Sequence, residues 1–228
     1  MTAYFSDASL RFLNALALHN DKAWFAEHKH QYEDHVRQPF LRLLGDLQPA
    51  LAEVSPKFRA DTRTVGGSLF RIYRDARFSH DKSPYKIWQG ARLFHERRRE
   101  VAAPSFYVHL QPGESFVGAG VWHPEPETQR RIRHFILDNP GSWRQAAHAP
   151  ALRRRFELEQ TEKLVRPPRG FPADFEFIDD LKHRNWVMWR RLDDAVMTGP
   201  ELLPTLGKDL ATLGPFVDYL CAALDLEF

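Results

Sequence analysis

The sequence predicts an α+β fold: a single domain over 1–228 in which an antiparallel sheet of about four to six strands packs with N-terminal and C-terminal helices. Three observations lead there. The first quarter of the chain repeats apolar residues at helical spacing, and residues 66–122 change to short β-branched and aromatic runs separated by Pro and Gly. After Pro124 the helical spacing returns. Helices, then strands, then helices lack the βαβ alternation that builds a parallel sheet. The connections between strands are also shorter than the dozen residues a parallel crossover needs.

Leu10, Leu13, Leu16 and Ala17 recur at three- and four-residue steps behind Ser6-Asp7, which predicts a capped helix. Asn20-Asp21 opens a second helix through Trp24, Phe25, Tyr32 and Val36. Pro39 interrupts it or starts the next, which carries Leu41, Leu44, Leu47 and Leu51. Strands are predicted near 68–74, 87–95, 105–111 and 115–122, the last two joined by the turn signal Pro112-Gly113-Glu114. Further helices follow at 130–137, with Ile132, Phe135 and Ile136 on one face, at 142–147 and at 152–158. A returning strand is predicted at 186–192. The tail from 201 to 226 reads as two helices divided at Gly214-Pro215. Segments 97–104 and 166–174 read as exposed loops.

Composition limits the function classes. At 43% hydrophobic and 27% charged, the chain is ordinary for a globular protein, which excludes disorder as its main theme. A net charge of +2 is too mild for a whole-chain nucleic-acid footprint. Cys221 is the single cysteine, so no intrachain disulfide forms, and its apolar surroundings predict a buried, inert thiol. The first residues lack a charged-then-apolar leader, and no run of ~18 apolar residues exists. These features predict a cytoplasmic protein that does not enter a membrane.

The positive charge is concentrated in one place. FRIYRDARFSHDKSPYK, from Phe70 to Lys86, carries five basic and two acidic residues, while the remaining chain has 27 basic against 28 acidic. As a strand, its start would turn Phe70 and Ile72 to the core and Arg71 and Tyr73 to the other side. Arginine forks match carboxylate and phosphate, and Ser and Lys add donors to the same anion. Arg71, Tyr73, Arg74, Arg77, Ser79, Lys82, Tyr85 and Lys86 are therefore candidate ligand-binding residues. Asp75, Asp81 and Tyr85 are candidates for moving a proton. The competing reading is an internal ion-pair network or a charged edge followed by a solvated loop.

RIYRDARFSHDKSPYK is similar to the signature of the family called domain of unknown function 2461. The likeness continues in GAGVWHPEP at 118–126, in the IRHFI that follows, in PRGFPADFEFIDDLKHRNW at 168–186 and in PFVDYLCAAL near the end. The resemblance covers nearly the whole chain and implies no particular reaction. It matches Arg71, Tyr73, Arg74, Asp75, Arg77, Phe78, Ser79, Asp81, Lys82, Pro84, Tyr85 and Lys86, then Gly118, Gly120, Trp122 and Pro124, with Arg133 beyond. In the third block Lys182 fits, whereas Phe175-Glu176 and Arg184 depart from the His-Pro pair and Lys-x-Lys of the family pattern.

Gly118 and Gly120, two apart on one strand, would bare one face to a neighbouring backbone or a flat ligand, with Trp122 as a further binding candidate and His123 beside it. Gly120 is expected beside the charged motif. No P-loop or GxGxxG spacing calls for a nucleotide cofactor, and none is assigned. On the helix EHKHQYEDH, Glu27, His30 and Asp34 share one side and His28, Tyr32 and His35 another, but neither set has zinc spacing, so no metal is assigned. His28 reads as a hydrogen-bonded core residue. The runs 97–99 and 153–155, three arginines each, read as solvated surface neutralised by nearby glutamates. The expected partner is an anionic small molecule, phosphorylated or carboxylated, with nucleic acid and a non-catalytic scaffold as the alternatives. Whether the protein is an enzyme is left open.

Overall fold

The computed structural model describes residues 3–75, 77, 80–100 and 102–228. The first helix, α1 (Asp7–Leu18), starts where predicted, with Ser9 Oγ accepting from the Ser6 backbone N–H. Asp21 caps α2 (Lys22–Tyr32) by accepting from the N–H groups of Ala23 and Trp24. Pro39 falls in the first turn of the next helix, the second of the two expected outcomes, although the chain stays helical across the junction. A wide π turn at Glu33–Arg37 precedes it, with Gln38 N–H reaching Glu33 O, and α3 (Gln38–Val54) continues at once. The wider turn makes room for a ring that would clash with the carbonyl one turn back.

Six strands form one antiparallel sheet in the order β1-β2-β3-β4-β6-β5. They are β1 (Phe58–Arg59), β2 (Gln89–His95), β3 (Ser105–Leu110), β4 (Phe116–Val121), β5 (Glu157–Leu158) and β6 (Trp186–Arg191). The predicted hairpin of β3 and β4 turns at Gly113, whose φ of 71° suits glycine. The strand expected at 68–74 is absent. Only Leu69 and Tyr73 make isolated bridges, to Ala91 and Tyr85. Phe70 N–H bonds to Gly90 O, but from Ile72 the chain pairs instead with residues 84–86, and Pro84 has no N–H with which to extend a ladder.

Between β4 and β6 lie α4 (Pro126–Asp138), α5 (Pro140–Ala147), α6 (Pro150–Arg153), β5 and α7 (Ile178–Leu181), and α8 (Asp194–Met197) follows β6. The helix expected over 152–158 is replaced by the end of α6 and by β5, because Leu158 pairs with Met188 and adds an edge to the sheet. The tail is one helix, α9 (Leu202–Ala223), not two. Pro215 sits inside it, and the lost bond is outweighed by burial of Leu206, Leu210, Leu213, Phe216, Val217 and Leu220 along its length. Gly214 lets α9 approach α3, since a Cβ there would lie 3.1 Å from Val54 Cγ1.

The register divides the sheet into two faces. Ala91, Leu93, Phe106, Val108, Val117, Ala119, Trp186 and Met188 lie on one and join the hydrophobic core with α3 and α9. Gly90, Arg92, Phe94, Tyr107, His109, Phe116, Gly118, Gly120 and Trp189 lie on the other. Polar groups inside the core are mostly matched. Asp180 accepts from Trp143 Nε1 at 2.7 Å and pairs with His148 Nε2 at 2.6 Å. Burial alone would push this carboxyl up, but the His148 and Trp143 contacts outweigh it and leave it lowered. Arg133 donates to the carbonyls of Leu181 and His183. The His183 ring is fully buried with neither nitrogen bonded, and burial pushes it down to about 4.

Two outcomes follow from this packing. A Cβ on Gly120, whose φ is 141°, would overlap Trp186 O across the β4–β6 pair. Gly120→Ala is expected to cost about 3 kcal/mol or more in urea unfolding, and a neutral variant would contradict the close approach. For His183, the unfolded ring binds its proton near 6.5 and the folded ring only near 4. Between those values the unfolded state holds the extra proton, so stability is full above about 6.5 and falls as pH drops toward 4. From pH 7 to pH 5 this group alone accounts for a loss of about 2 kcal/mol. Urea midpoints for His183→Gln should show a correspondingly shallower decline; an unchanged decline would refute the assignment.

Candidate functional site

Among its described residues the charged motif doubles back as a hairpin, 72–74 against 84–86, just before β2. Arg74 N–H bonds to Pro84 O at 2.9 Å and Lys86 N–H to Ile72 O at 2.8 Å, closing its root. Two buried side chains anchor it. Ile72 enters the core, and the Tyr85 ring stacks on Phe25 of α2 with centroids 4.1 Å apart. Asn20 clamps Tyr85 at both ends, donating to its carbonyl and accepting from its N–H. The alternation expected from a strand therefore holds locally at Ile72, with Arg71 and Tyr73 exposed on either side of it.

The acidic residues of the hairpin hold two of its arginines. Arg77 forms a fork with Asp75, Nε to Oδ1 at 2.9 Å and Nη2 to Oδ2 at 2.7 Å, and Arg74 pairs with Asp81. Asp81 also accepts from the Ser83 hydroxyl and from Ser83 N–H. The Ser83 and Arg74 contacts pull its carboxyl down to about 2, and Arg77 lowers Asp75. Lys86 Nζ donates to the carbonyls of Arg71 and Tyr73 at 2.7 and 3.0 Å and sits 5.4 Å from the ring centre of Trp88. Burial first, and then Arg71, lower its pKa. Lys82 is exposed on the same hairpin. Ser79 and Phe78 lie outside the described residues.

Trp122 lies apart from this group. It follows β4 at the end of the sheet opposite the hairpin, 57% exposed, with its ring 4.5 Å from that of His123. Gly120 is likewise not beside the motif: its close neighbours are Trp186 and Val187 of β6. The two glycines are explained by a backbone approach, with Gly118 crowded by Met188 O and Trp189 Cβ. His123 adopts φ 48°, its N–H held by Asn185 Oδ1. His28 is half-buried and hydrogen-bonded to Trp24 O, while its ring stacks on Trp24 at 4.2 Å. Cys221 is buried, which pushes its thiol up to about 12. Among the described residues no group of three or more His, Cys, Asp or Glu is placed to hold a metal, and no helix is long and apolar enough to cross a membrane.

Sequence reasoning missed the surface beside the hairpin. Phe70, Trp88, Tyr107, His109, Phe116 and Trp189 form a continuous run of ring contacts across the second face of the sheet, with centroid spacings from 4.6 to 6.5 Å. All but His109 are half-exposed. The signal was present as alternation in FYVHL, but the partner strands needed to join the rings could not be paired from sequence. Two grooves, of about 680 and 610 Å³, lie between α3 and α9 and around Gln48 and Thr62, and neither is lined by a hairpin residue.

No curated protein and no solved structure matches the chain. The family model described as conserved hypothetical protein (DUF2461) matches residues 8–219 and so takes in the hairpin, the β4 glycines and the His183 segment together. The chain belongs to that family.

Proposed function

We propose that the protein binds a small anionic metabolite, phosphorylated or carboxylated, at the root of the hairpin, in the cytoplasm. One observation carries the reading. Arg71 and Lys86 are close enough for Arg71 to lower the Lys86 pKa, yet among the described residues neither has a carboxylate in ion-pair contact. Asp75 feels the Arg71 charge, but its oxygens are already engaged in the Arg77 fork. Two neighbouring cations without a counter-ion in contact favour an anion from outside. Lys86 is half-buried and aimed by two carbonyls, so its position is fixed before a ligand arrives, which lowers the cost of binding. Arg74 and Arg77 serve differently, bracing the loop through Asp81 and Asp75. A carboxylate near 2 is a poor general base at neutral pH, so Asp81 supports a binding role over acid–base chemistry.

The braces also favour a second reading, in which the whole hairpin is a structural ion-pair network. Thermal unfolding in inorganic phosphate separates the two. A ligand held only by the native state adds ~2.7 kcal/mol at a hundredfold excess over its dissociation constant, so the midpoint should rise with phosphate. Arg71→Ala should remove that rise and leave a folded chain. No rise in the parent, or an equal rise in the variant, would sink the binding proposal.

A further inference from the structure

Arg92 stands on the second face of β2, between Gly90 and Phe94 and directly across from Tyr107 of β3. Its side chain makes no hydrogen bond or ion pair with any described residue, and its Nε is buried without a partner. That is costly. A half-buried cation loses hydration, and elsewhere in this fold the buried Arg133 and the half-buried Arg190 recover the loss on carbonyls and a carboxylate. Here the nearby charge is another cation, Arg98, whose guanidinium lies 3.4 Å above the Phe94 ring and donates to Gly66 O. Burial and Arg98 together lower Arg92 from its usual value.

The surroundings specify more than charge. Glycine at 90 lets the Tyr107 phenol lie flat on the sheet, because any Cβ there would overlap the hydroxyl. His109 Nδ1 hydrogen-bonds to Tyr107 Oη at 3.0 Å and pins it in that pose. Phe70 and Phe116 touch Tyr107 at 5.8 and 5.5 Å, and Trp88 reaches His109 at 4.9 Å. The result is a low aromatic floor with a pinned ring at its centre and an unpaired guanidinium at its edge. Aromatic floors bind planar rings by stacking, and a guanidinium fork binds phosphate.

We propose that this face of the sheet binds a nucleotide, free or within a single strand, with its base on the Phe70–Trp88–Tyr107 floor and a phosphate on Arg92. The site is separate from the Arg71–Lys86 pair and does not require it. Calorimetry on the full chain with adenosine 5′-monophosphate, adenosine and inorganic phosphate tests it. The monophosphate should bind at least about tenfold more tightly than adenosine or phosphate, and Arg92→Gln should weaken it by about tenfold or more. Arg92→Lys should keep part of the affinity. Without ligand, Arg92→Gln should unfold at the same temperature as the parent or higher, because it removes an uncompensated charge.

Equal affinity for monophosphate and phosphate, or an unaffected Arg92→Gln, overturns the proposal, as does a lowered midpoint in that variant with no nucleotide bound by the parent. If phosphate has no Arg71-dependent effect while the monophosphate binds through Arg92, the hairpin reading fails and this one stands; the opposite pattern overturns this one and leaves the hairpin reading standing. An eight-nucleotide single strand of deoxyadenosine identifies the source. Tighter binding with a steep salt dependence marks a strand, and affinity no greater than the monophosphate marks the free nucleotide, both supporting the shared chemistry.

Discussion

The Asp209 carboxylate sets the orientation of the fold's largest helix. It is completely buried on α9 and receives Arg190 of β6 through two bonds, Nε at 2.9 Å and Nη2 at 2.6 Å, with Arg155 Nη2 at 2.6 Å on Oδ1. A carboxylate taken out of water costs several kcal/mol unless it is paired and hydrogen-bonded, so these forks must close for the core to form. Arg190 projects from the core side of β6, as Met188 and Trp186 do. Helix α9 therefore has to cross that side of the sheet, and with it come α3 and the buried surface of β4.

Committing one face to α9 leaves the other to side chains that cover themselves. Gly90 accepts the Tyr107 ring, and Arg98 lies on Phe94. The contrast in charge follows the same division. On the covered side Arg133, Arg155 and Arg190 all have oxygen partners. On the hairpin root and the second face, Arg71 and Arg92 make no ion pair with a described residue, so a neutral side chain at either position would forfeit no such pair. Unpaired cations that the fold does not use are the physical reason to look for ligands there.

Local signals read correctly where local forces decide. Ser6-Asp7 and Asp21 start helices through bonds made within four residues, and Pro112-Gly113 turns β3 into β4 because Gly113 accepts a positive φ. The strand over 68–74 failed for a longer-range reason: Tyr85, twelve residues beyond Tyr73, is drawn onto Phe25, and the chain follows it into a hairpin. Pro215 looks like a break in sequence, but the packing of α9 against α3 outweighs one missing bond. Asp209, Arg190 and Arg92 carried no usable signal, since a lone charge in an apolar or alternating run looks like an exposed position until its neighbours are known. Charge density marks the hairpin, yet it cannot show which of its charges brace the loop: Arg74 with Asp81 and Arg77 with Asp75 are ion pairs within it.

The two cationic positions are linked by β2 itself. Lys86 reaches over Trp88, and Arg92 stands four residues beyond Trp88 on the same face, about 13 Å along the chain at ~3.3 Å per residue. A bare phosphate cannot touch both, so the two proposed sites stand or fall separately. The floor between them is rigid, because Tyr107 is pinned by His109 and His109 in turn by Gln111 Oε1 at 3.0 Å. Stacking on a pinned ring costs little side-chain entropy, so the favourable contact is not spent on ordering the protein. The spacing thus keeps the two proposals apart: a compact anion at the hairpin root would have charge alone to hold it, and a nucleotide on the second face would gain the floor as well.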